Sequence, residues 1–246
     1  MESTEDRQLK SKKLKASAFA AGLIAFSIMA VSNAWATVLT VNSISAEWTN
    51  PVDGANINNN GVQSNPTAAE IWWGNVPQGD PQSGFTFLTS APGSFPVTVG
   101  DAFSLGTFTH HNNMIDNGPI SQVRLDLNLD IGGSNVGPFL TVFDFFESPN
   151  SCNPQPTCSN DTISLPEIGT STTISVGDQM YAFTILGFSI DGGLSFLDSL
   201  TTPEETLNSA DLYAKVSAVP LPGAVWMFLT ALSALGLSGW RRKKVA

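Results

Sequence analysis

The stretch Val123-Arg124-Leu125-Asp126-Leu127-Asn128-Leu129-Asp130-Ile131 alternates apolar and polar residues without a break. A period of two places the odd positions on one face of an extended strand and the even positions on the other. A helix would scatter the same residues around its whole circumference, so this segment needs a core on one side and water on the other. Similar short segments fill the region 37–218: Val38 to Trp48, Ala69 to Trp73, Phe85 to Leu88, Phe95 to Val99, Phe103 to Thr109, Phe139 to Glu147, Thr162 to Leu165, Thr172 to Val176, Gln179 to Ile190, Leu194 to Leu197 and Leu212 to Val216. Clusters of Gly, Pro, Asn and Asp separate them, among them Gly132-Gly133-Ser134-Asn135 and Asp191-Gly192-Gly193. No sustained 3.6-residue period occurs between them. The expectation is an all-β domain, an antiparallel β-sandwich of jelly-roll-like type.

Both ends of the chain read differently from this middle. Lys10, Lys12, Lys13 and Lys15 precede an apolar run from Ala16 to Val31, and Ala34-Trp35-Ala36 follows as an A-x-A cleavage site. Residues 1–36 therefore read as a signal peptide, handled by the Sec translocon and signal peptidase, with an uncleaved N-terminal anchor as the alternative. At the other end, Leu221 to Trp240 is 20 residues without a charge, about the 30 Å of a bilayer's hydrocarbon core at 1.5 Å per residue. Arg241, Arg242, Lys243 and Lys244 follow and would stay cytoplasmic, which puts residues 37–218 on the far side of the membrane.

The succession Val219-Pro220-Leu221-Pro222-Gly223-Ala224, one apolar helix and a basic tail resembles the PEP-CTERM sorting signal in its Val-Pro-Leu-Pro variant. The resemblance covers residues 219–246. It implies a precursor held briefly in the inner membrane of a Gram-negative cell, cut at the Pro motif by an exosortase, and released to the cell surface or the extracellular polysaccharide. A permanent single-span anchor is the plainer alternative.

Residues 37–218 are about one domain's length and enough for a sizeable core. Five of the chain's 11 Lys and Arg precede residue 37 and four follow residue 240, which leaves Arg124 and Lys215 against 18 of the 21 acids. Such a surface repels nucleic acid and other polyanions. Cys152 and Cys158, with five residues between them in a region read as exported, read as a disulfide; a metal or redox pair would call for further soft ligands or C-x-x-C spacing.

Three internal segments carry a second resemblance. Phe103 to His110, Asn112-Asn113 and Pro119-Ile120 resemble the "lGtFtHxNxPI" signature of the choice-of-anchor K domain, with Met114 to Gly118 inserted in the loop. Phe146-Glu147-Ser148-Pro149-Asn150, the two cysteines, Asn160-Asp161-Thr162-Ile163 and Tyr181 to Phe188 are similar to later elements of that family. The resemblance implies an exported bacterial domain and singles out His110, Asn112, Glu147 and Asn150 as family-motif positions; it brings no known activity.

Candidate chemistry is sparse. His110 and His111 are the only histidines, and neither a G-x-S-x-G nor a G-x-G-x-x-G element is present, so no catalytic residue is assigned. His110 is expected to end its strand and hydrogen-bond the Asn112 loop. Asp126, Asn128 and Asp130 follow the opening of a calcium loop, but Ile131 stands at its glycine position and Gly137 where a bidentate Glu belongs, which excludes an EF-hand. Two readings stand for them: solvated acids on an outward face, or part of an irregular oxygen cage for structural calcium completed by Asp116, Asp144 or Glu147. Trp72 and Trp73 point to opposite faces of one strand, so one belongs to the core and the other is free to stack on a sugar ring. Two functional classes follow. One is a non-enzymatic surface or matrix protein with an adhesive, scaffolding or carbohydrate-contact role. The other is a secreted polysaccharide hydrolase with two carboxylates in a shared cleft.

Overall fold

The computed structural model describes residues 37–62, 68–90, 93–149 and 160–219. The signal segment with Ala34 and Ala36, the cysteine loop with Asn150, Cys152 and Cys158, and the sorting segment from Pro220 onward lie outside the described residues. Among the described residues no helix is long and apolar enough to cross a membrane.

The described chain is all strand and turn: β1 (Val38–Asp53), β2 (Asn58–Val62), β3 (Ala68–Trp73), β4 (Ser83–Thr89), β5 (Phe95–Thr98), β6 (Ala102–Asn112), β7 (Ile120–Ile131), β8 (Ser134–Phe146), β9 (Asp161–Ser164), β10 (Ser171–Val176), β11 (Gln179–Ser189), β12 (Ser199–Thr202) and β13 (Thr206–Ala218). They form two antiparallel sheets, one in the order β12-β9-β8-β7-β1-β5 and the other β10-β11-β13-β6-β4-β3-β2. The chain repeatedly passes from one sheet to the other, so β1 lies between β5 and β7 while β13 lies between β6 and β11.

The alternation that defines β7 is realised in full: Val123, Leu125, Leu127, Leu129 and Ile131 are each at most 1% exposed. Facing strands supply aromatic partners. Trp48 of β1 lies 5.6 Å from Phe85 of β4 and 5.1 Å from Phe143 of β8, ring centre to ring centre, and Phe108 of β6 stacks on Phe143 at 5.4 Å. The Trp48 indole nitrogen, buried with its ring, donates to the Ala69 carbonyl of β3 at 3.1 Å and so avoids the cost of an orphaned polar group. The two sheets thus share one hydrophobic core.

Several expectations are corrected. Residues 194–197 are not a strand: the segment bends, and only Leu197 bridges back, exchanging backbone bonds with Phe188 at 2.8 and 2.9 Å. Asp191 organises that bend through side-chain bonds, which compete with a sheet ladder. In its place β12 forms at 199–202, and β13 begins at Thr206 rather than Leu212. β2 is Asn-rich and lacks the apolar alternation that marks the other strands.

Candidate functional site

The family-motif positions that lie among the described residues converge at one end of the molecule. β6 carries His110 and ends with Asn112, β8 runs out into Glu147 and Ser148, and β9 opens with Asp161. Register brings them together, since Thr202 at the end of β12 pairs with Asp161, and Thr206 at the start of β13 pairs with Asn112. The tight turn 203–205 crosses between the sheets there and carries Glu204. Its backbone is fixed by the Glu205 amide, which donates to the Asn112 carbonyl at 2.8 Å, and Glu205 itself holds a φ of 56°.

Glu147, Asp161 and Glu204 each direct a carboxylate oxygen into this corner, all within 4.8 Å of one another. Asp161 and Glu204 have no exposed surface. One Asp161 oxygen accepts from the Ser148 amide at 2.9 Å and its hydroxyl at 3.2 Å. The other Asp161 oxygen and both Glu204 oxygens have no hydrogen-bond partner among the described residues. Burial pushes the Asp161 carboxyl up to about 6, against the Ser148 bonds that favour its charged form. Burial and then the charges of Asp161 and Glu205 push Glu204 up to about 7.

Among the described residues, neither Arg124 nor Lys215 answers Asp161 or Glu204. Arg124 grips Asp126 with two hydrogen bonds of 2.6 and 2.8 Å. Lys215 lies nine positions along β13 from Thr206, about 30 Å away at 3.3 Å per residue. His110 is neutral: burial, helped by its neighbour His111, lowers it to about 3. Its Nδ1 meets the Thr202 hydroxyl at 2.8 Å and its Nε2 the Ser83 hydroxyl at 3.3 Å. This corrects the expectation that His110 ends its strand and bonds the Asn112 loop; it sits inside β6, walled by Trp73, Phe85 and Phe145. Its role is to join β12 to β4 across the core.

The other expected site residues are placed elsewhere. Asp126, Asn128 and Asp130 follow one another along the outward face of β7, and none of them joins the carboxylate cluster. Asp126 holds Arg124, and Asp130 accepts from Asn42 at 3.0 Å and the Gly133 amide at 2.9 Å. Neither Asp116 nor Asp144 joins the cluster, whereas Glu147 does. Trp73 is fully buried, and Trp72 faces outward on the seven-stranded sheet, half-buried. A side chain on Gly84 would collide with the Trp72 ring and the Ile71 carbonyl, so glycine there lets the indole pack close over the strand. Next to it lies the His111 ring at 4.8 Å. Val219 is exposed at the end of β13, and the remainder of its motif lies outside the described residues.

Glu204 is the functional candidate that sequence reasoning missed. It lies in Pro-Glu-Glu, at no motif spacing from Glu147 or Asp161, and only the turn between β12 and β13 brings it inward. Compared with known proteins, the chain matches no protein-family model and no curated protein.

Proposed function

We propose that the chain is an exported, exosortase-processed protein of the cell surface or extracellular matrix, whose jelly-roll-like sandwich contacts polysaccharide without cleaving it. The sorting segments and the choice-of-anchor K resemblance supply the address; Sec translocon, signal peptidase, exosortase and a transient stay in the inner membrane are its implied partners. The observation that carries the binding role is Trp72. Its indole packs over Gly84 beside His111, an aromatic surface on the outer sheet face of the kind that receives a sugar ring.

The rival reading, a polysaccharide hydrolase, asks for two carboxylates flanking a bond that a substrate can reach. Asp161 and Glu204 are close enough, but both are fully buried. A groove of about 300 Å³ bordered by Phe139, Ile168 and Phe183 has Glu167 as its one carboxylate. The geometry favours contact over catalysis.

Co-sedimentation of the full chain with extracellular polysaccharide from the producing cell tests this. Trp72→Ala should weaken binding about tenfold, equivalent to about 1.4 kcal/mol, and the polysaccharide should gain no new reducing ends. Unchanged binding by the variant, or release of reducing ends by the wild type, would overturn the proposal.

A further inference from the structure

The corner that gathers Glu147, Asp161 and Glu204 also holds Asn112, and this residue gives the corner its meaning. Asn112 is fully buried, and its side chain hydrogen-bonds Asp161, which favours the charged carboxylate. Its amide nitrogen is committed to the Thr202 carbonyl at 2.8 Å, which leaves its own side-chain carbonyl oxygen without a partner among the described residues. The Asn112 carbonyl oxygen, one Asp161 oxygen and both Glu204 oxygens are thus buried acceptors without a donor among the described residues, which is unfavourable unless something positive stands among them.

We infer that Glu147, Asp161, Glu204 and the Asn112 side-chain carbonyl form a binding site for one divalent cation of the calcium class. Four observations agree. The donors are all oxygen, the set preferred by hard cations, and among the described residues no thiol or imidazole nitrogen joins them, both His110 nitrogens facing hydroxyls. Spacing is right: oxygens bound at about 2.3–2.6 Å to one calcium ion lie at most about 5 Å apart, and the three carboxylates come within 4.8 Å of each other. Charge is right, because neither Arg124 nor Lys215 reaches Asp161 or Glu204. The donors also come from three separate places: the end of β6, the strand ends of β8 and β9, and the turn between β12 and β13. Such a flexible, irregular set suits calcium better than magnesium, which demands near-octahedral geometry.

An ion here would do structural work. It would tie the six-stranded sheet, through Glu147 and Asp161, to the seven-stranded sheet, through Asn112, with Glu204 on the turn that crosses between them. Calcium that binds only the folded state raises stability in proportion to RT ln(1 + [L]/Kd).

The test uses the full chain, stripped with EDTA and titrated with calcium chloride and with magnesium chloride by calorimetry, then melted in each and in sodium chloride of matched ionic strength. One calcium per chain is expected, with a melting temperature about 5–10 °C higher at a hundredfold excess over Kd, which sodium chloride does not reproduce. Glu204→Gln should weaken calcium binding at least tenfold. It should also melt in EDTA no lower than the wild type does in EDTA, because it removes a buried charge and keeps the shape. Asp126→Asn on the outward face of β7 should leave calcium binding unchanged. Absence of calorimetric binding to the wild type, a melting shift equalled by sodium chloride, or full calcium affinity in Glu204→Gln would each overturn the site.

Discussion

At Asp191 a single carboxylate holds a bend that carries some of the most exposed apolar side chains of the molecule. It accepts from the Ser189 hydroxyl at 2.7 Å, the Leu194 and Ser195 amides at 3.1 and 3.0 Å, and the Ser195 hydroxyl at 2.6 Å. Bonds from Ser195 and Ser189 hold this carboxyl down at about 2, below its ordinary 3.8. A carboxylate lowered in the folded state favours that state above its unfolded value and ceases to do so as pH falls through its folded one. The bend should therefore be intact above about pH 4 and loosen as pH falls through about 2. Tyr213, which packs near Gly193, is pushed up by burial and by Asp211 and Asp191, so it stays neutral over this range and does not confuse the readout. Hydrogen exchange at the Leu194 and Ser195 amides should quicken across that range, and Asp191→Asn should show the quick rate at neutral pH. Exchange that ignores both acid and the substitution would refute the capping role. Residues of this kind were half legible: Asp191-Gly192-Gly193 marks a turn, but nothing local says that four donors converge on one oxygen pair.

At the scale of the element, Gly106 explains a motif position physically. It sits in β6 between β4 and β13, opposite Thr89 and Leu212. A Cβ built there would press on the Leu88 carbonyl and lie 2.7 Å from the Phe87 ring, which packs across the strand at that point. Gly106→Ala should lower stability by about 1–3 kcal/mol through overpacking, read as a lower denaturant midpoint at unchanged slope. An unchanged midpoint would mean that β4 and β6 are free to part. Strands were legible in proportion to the side chains they bury. β7 announces itself because every second residue meets the core, and β3 because Ile71 and Trp73 do. β2, written Asn-Asn-Asn-Gly-Val, and β12, written Ser-Leu-Thr-Thr, are held by pairing with a neighbour and carry little apolar pattern of their own. The region 194–197 shows the converse: Leu194, Phe196 and Leu197 have strand-like composition, yet they are 87%, 37% and 38% exposed.

For the molecule as a whole, sheet class followed from periodicity, whereas the carboxylate corner followed from topology. Asn112, Glu147 and Asp161 stand in segments that the choice-of-anchor K resemblance had already marked, but their meeting with Glu204 depends on how β12 and β13 pair across two sheets, which no local pattern encodes. Address belongs to this scale too. In the proposed reading, Arg124 and Lys215 against 18 acids, a leader-like start and a Pro motif before an apolar run belong to one itinerary, out of the cell and off the membrane. A polysaccharide-contact role has meaning only if the sandwich follows that itinerary and reaches the polysaccharide. Intact-mass spectrometry of the native protein from the surface and medium of the producing cell tests it most directly. The expected chain starts near Thr37 and lacks residues 226–246; a chain that keeps residues 1–36, or ends at Ala246 with the apolar run attached, would rule that itinerary out.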